Sequence, residues 1–120
     1  MKEAYISFYL RENQIYVFVE ALKQIGSPRR ICFMLSKSGE SLLLVPYKKR
    51  DFKSHSVPAK VYHGNGNFRI NSYKLCRMLA DINHWDMHHS YRIPGKVYPE
   101  KRLAVFELES ARVIGREQAE

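Results

Sequence analysis

The feature that most constrains this chain is an apolar spacing that occurs twice. Ile15, Phe18, Val19 and Leu22 fall at i, i+3, i+4 and i+7, and sixty residues later Leu75, Met78, Leu79 and Ile82 do the same. On a 3.6-residue period each set makes one apolar face, so each predicts a helix that packs on something. The second copy is the better delimited. Within Asn67 to Trp85, Phe68 and Ile70 read as a short strand, and Ser72 opens a helix running to His84, because its hydroxyl oxygen can accept the free amides of the first turn. Phe8 and Phe68, and Leu10 and Ile70, keep the same offset. A strand-period segment and a helix-period segment shifted by one interval predict one unit used twice. The expectation is a single domain over 1–114, repeat 1 covering about 1–60 and repeat 2 about 61–114, with 115–120 as a flexible C-terminal tail.

The remaining segments fill in that plan. Ala4 to Leu10 alternates as a strand with both faces largely apolar, which suits a central position. Asn13 to Ile25 follows as the first helix, stopped by Gly26 and Pro28. Arg30 to Leu35 and Ser41 to Val45 flank a Ser38-Gly39 turn, and Ser54 to His63 carries a further strand. The run Gly64 to Asn67 is glycine-rich, but a strand follows it where phosphate binding needs a helix, so it reads as a hairpin turn. Ser90 to Val97 and Arg102 to Leu108 form the last hairpin. The fold class predicted is α+β, from internally duplicated strand-helix-hairpin units. Ser41 to Val45 and Arg102 to Leu108 are expected as exposed edges, which would favour a homo-oligomer.

Charge narrows the partners. Lys and Arg number 20 against 12 Asp and Glu, a formal +8. A surplus of that size favours a polyanion, most simply nucleic acid, with solubility charge as the plain alternative. There is no apolar run of about 18 residues, and charges interrupt the start of the chain where a signal peptide needs an apolar core. A cytoplasmic protein without a membrane partner is expected. Cys32 and Cys76 have apolar neighbours, and two cysteines cannot build a four-thiolate zinc site, so both read as reduced, buried small hydrophobes.

Candidate chemistry is sparse. His84, Asp86 and His88 have metal-ligand types, but Trp85 and Met87 among them suit a loop packed back on the core. Asp51, Ser54, His55 and Ser56 supply the residue types of a hydrolytic triad, yet such a triad is a spatial arrangement and these are adjacent in one loop. No nucleotide motif is present, so no enzyme, cofactor or metal is expected. The positive signal is the basic and aromatic stretch Lys48, Lys49, Arg50, Phe52 and Lys53, joined by Lys74 and Arg77 on the polar side of the second helix. Cations there can hold phosphates while rings stack on bases.

Two families share parts of this pattern. YVFVEALKQIG (16–26), RICFMLSKSGESLLLVP, the segment Val57 to His63, GNFRINSYKLCRMLA and KRLAVFELE stand in the order of one domain of the sliding clamps, the DNA polymerase processivity factors, which the chain resembles in topology. The resemblance implies a non-enzymatic, DNA-associated clamp-like module. A ring of six such domains would need six copies of the chain. KVYHGNGNFRINSYKLCRML followed by a hairpin also resembles the swapped-hairpin transition-state regulators, which would imply a transcriptional regulator. A protein-interaction module, a subunit or inhibitor with a clamp-like shape, is the remaining alternative.

Overall fold

The computed structural model describes residues 2–51, 53–64 and 66–114. Alternation decides the architecture. In β1 (Lys2–Tyr9) the side chains of Ala4, Ile6 and Phe8 are buried and Tyr5, Ser7 and Tyr9 line the other face, the period of two that a strand imposes. The chain then makes one 3-10 turn, Leu10–Glu12, and reverses at Asn13, whose left-handed φ of 57° is one that asparagine tolerates. It returns as β2 (Gln14–Phe18), with Ile15 and Val17 buried and Phe18 pointing outward. Only Val19–Gln24 is helical (α1). The predicted first helix, Asn13 to Ile25, is therefore half strand. Its apolar spacing is shared between a strand that uses Ile15 and Val17 and a helix that uses Val19, Ala21 and Leu22.

The chain continues as β3 (Arg30–Leu35), β4 (Ser41–Pro46), β5 (Ser54–Ser56), β6 (Asn67–Asn71), α2 (Tyr73–Asn83), β7 (Ser90–Tyr98), β8 (Leu103–Glu107) and β9 (Arg112–Ile114). The sheet order is β5-β3-β4-β8-β7-β1-β2-β6, with β9 added beside β7, and each pairing is antiparallel. This sheet curls into a nearly closed barrel with two α-helices among the described residues, of which 45% are strand and 28% helix of all kinds. That overturns the expected α+β fold of duplicated strand-helix-hairpin, clamp-like units. The two halves are also interleaved: β1 lies between β2 and β7, and β4 pairs with β8. Consequently Ser41 to Val45 and Arg102 to Leu108 are interior strands and not edges, which removes the basis on which self-association was expected. After β5, Val57 is buried and Ala59–His63 is a 3-10 turn where a strand was expected.

The barrel interior is filled by Ile6, Phe8, Ile15, Ile31, Leu44 and Phe106, with Leu22 entering from α1 and Ile25 from its C-cap. In α2, Ser72 caps as expected, its Oγ accepting the Leu75 amide at 3.2 Å. Cys76, Leu79 and Ala80 face the core, whereas Met78 and Ile82 are 40% and 45% exposed, so the buried stripe is rotated from the one read off the spacing. Leu79 and Val19 are both buried, as the apolar faces require. Close approach fixes one glycine: Gly95 of β7 pairs with both Ala4 and Phe106, and a Cβ there would run into the Val105 carbonyl and the Phe106 ring.

Candidate nucleic-acid interface

A strongly positive surface is built by strand ends. The register Ile31↔Pro46 brings the start of β3 beside the end of β4, and the Tyr47 amide continues the pairing by donating to the Arg30 carbonyl at 2.9 Å. On the other side of β3, Val57 donates to the Arg29 carbonyl at 2.8 Å. The turn after β7 ends on Arg102, in a left-handed conformation (φ 50°), and its guanidinium lies over Gly26 at the end of α1. These segments enclose an open groove of about 630 Å³. Arg29, Arg30, Lys48, Arg50 and Arg102 line it, and no carboxylate of the described residues does. Asp51 does not line the groove, but its carboxylate borders it, accepting from the hydroxyl of groove-lining Tyr47 at 3.1 Å and from the Lys53 amide at 2.9 Å. Arg30 is held by a 2.9 Å bond from its Nε to Ser54 Oγ.

The residues expected from sequence are thus divided. Lys48 and Arg50 line the groove, and Lys49 is exposed in the same loop outside it. Lys53 and Lys74 instead face a second, shallower cleft between β5 and the start of α2, with Phe33, His55, Leu75 and Met78. Arg77 is paired with Asp81 at 3.3 Å and takes the Tyr73 hydroxyl as a further partner, so its charge is partly answered within α2. Phe52 lies outside the described residues, as do residues 115–120. Sequence reasoning missed Arg29, Arg30 and Arg102. Their signal was present as basic residues at turns, Pro28-Arg29-Arg30 and Lys101-Arg102, but the barrel alone brings the two turns together.

The other chemical candidates find structural work. α2 ends at His84 in a left-handed conformation (φ 58°), so His84 and His88 do not share a helix face. Trp85 and Met87 pack against the core, Trp85 stacking on Tyr91 at 4.8 Å between centroids. Asp86 accepts the His88 amide at 2.8 Å, the main cause that holds its carboxyl below the usual range. Among the described residues no cluster of three metal-ligating side chains forms. Ser54 Oγ is engaged by Arg30 and donates to the Asp51 carbonyl, and the His55 ring packs edge-on against Phe33. Both cysteines are free and buried. Burial raises both thiol pKa values, that of Cys76 to about 12, so neither is a thiolate at neutral pH.

No protein-family model matches the sequence, and no curated protein and no solved structure matches the chain. No described helix is long and apolar enough to cross a membrane.

Proposed function

We propose that the protein is a non-enzymatic, cytoplasmic nucleic-acid-binding module that seats phosphates in the groove between β3, β4, β5 and the turn before β8. One observation carries this reading: five cationic side chains converge on that groove with no described carboxylate among them. Charge kept only for solubility is interspersed with the opposite sign. Here it is segregated, which is the electrostatic footprint of a polyanion site. The free, buried cysteines suit a reducing compartment.

A salt titration tests the reading. Binding to duplex and single-stranded oligonucleotides should weaken steeply as salt rises, through counterion release. Replacing Arg29, Lys48 and Arg50 together by Ala should weaken binding to all sequences alike and flatten the logarithmic salt slope by up to about 3. Lys49→Ala, in the same loop but outside the groove, should change the slope by well under 1. A triple variant that binds like its parent would return the basic surplus to a solubilising role.

A further inference from the structure

The outer face of β6, β2, β1, β7 and β9 carries a second pattern that the groove does not use. The registers Arg69↔Tyr16, Tyr16↔Ser7, Ser7↔Arg92 and Arg92↔Arg112 set one row of side chains straight across five strands. At about 4.8 Å per strand the row is roughly 19 Å long. Ser7 is its floor, only 7% exposed, and rings stand on both sides of it. Tyr9 and Tyr16 meet at 4.8 Å between centroids, and Tyr5 and Phe18 at 6.1 Å. Tyr5 and Phe18 are 40% and 38% exposed.

Charge along the row itself is one-sided, since Arg69, Arg92 and Arg112 stand in it with no carboxylate. Arg92 lies 5.8 Å from the Tyr5 ring centre and its Nε donates to Ser7 Oγ at 3.4 Å. Directly opposite stands Arg112, and two like charges facing across a ladder destabilise it. Among the described residues neither arginine forms an ion pair. A recess of about 420 Å³ opens between them, walled by Tyr5, Pro94 and Val113. The described carboxylates lie at one end of the face, Glu3 opposite Lys96 and Glu107 of β8 lining the same recess as Glu3, Tyr5 and Pro94. Exposed rings beside uncompensated guanidinium groups match a ligand that offers flat apolar faces and negative charge at short intervals.

We propose that this face binds an unpaired nucleic-acid strand, its bases stacking on Tyr5, Phe18, Tyr9 and Tyr16 and its phosphates meeting Arg69, Arg92 and Arg112. The proposal rests on the nucleic-acid reading above and deepens it, since base faces are free to stack only where the strand is unpaired. The groove then supplies phosphate affinity common to paired and unpaired nucleic acid, and the sheet face supplies preference for the unpaired form.

The test is fluorescence anisotropy with labelled oligothymidylate, oligouridylate, and an abasic deoxyribose-phosphate chain of equal length. The abasic chain should bind tenfold or more weakly. Tyr5→Ala with Phe18→Ala should lower oligothymidylate affinity by roughly tenfold or more with the salt slope unchanged, because stacking releases no counterions. Tyr5→Leu with Phe18→Leu keeps the apolar cover over Ser7 and replaces the alanine pair should that pair fail to fold. Arg92→Gln with Arg112→Gln should instead lower the slope by about 1.4, at about 0.7 per phosphate contact on a single strand. Equal binding of abasic and base-bearing chains, or parental affinity in folded ring variants, overturns the proposal and leaves the groove reading standing. Loss of binding in the ring variants with none in the groove triple variant overturns the groove alone. Competition by polyglutamate as strong as by oligothymidylate assigns the face to an acidic protein and also overturns the proposal.

Discussion

His55 shows how a single side chain ties this fold to pH. It lies on β5, half-buried against Phe33 of β3, and burial first, then the Arg30 charge, hold its pKa below the ordinary 6.5. The unfolded chain takes up the proton near 6.5 while the folded chain resists until a lower pH, so in that window the unfolded state binds more protons. Stability should therefore fall as pH drops from above 6.5 through the lower folded value. His55→Gln should remove that part of the dependence. Urea midpoints measured from about pH 7.5 to about pH 5 for parent and variant check it, and parallel curves would deny His55 the role.

At the scale of the element, α2 separates the buried stripe from the merely apolar one. Leu79→Ala should cost about 2–5 kcal/mol, because the side chain is fully enclosed and its removal leaves a cavity. Met78→Ala and Ile82→Ala, on the exposed side, should each stay within about 0.5 kcal/mol. Denaturant melts of the three variants decide it, and a Met78 cost equal to that of Leu79 would restore the spacing-based face. The Ser72 cap, the central position of β1 and the hairpin of β3 with β4 were legible because each depends on neighbouring residues. Residues 15 to 22 were not. Ile15, Val17 and Val19 alternate as a strand while Phe18, Val19 and Leu22 space as a helix, and the choice was made by pairing partners, β1 on one side and β6 on the other. The candidate site divides in the same way. Lys48 and Arg50 could be read from one basic run, whereas Arg29, Arg30 and Arg102 join them through ladders that no local pattern encodes.

At the scale of the whole molecule, the interleaved sheet makes the chain indivisible near its middle. Were it two similar units, fragments 1–60 and 61–120 would each retain a fold. With β1 lodged between β2 and β7, and β4 paired with β8, each fragment loses the neighbours of its central strands. Neither should fold alone, and proton spectra of the separate fragments should lack dispersed amide signals; a dispersed spectrum from either would reinstate the repeat. The same pairing sets a schedule during synthesis. Tyr9 must wait for Ser90, and at about 5–20 residues per second that interval is about 4 to 16 seconds. Through those seconds the nascent chain presents Ile6 and Phe8 on a strand with one edge unfilled, open to pairing with the wrong neighbour.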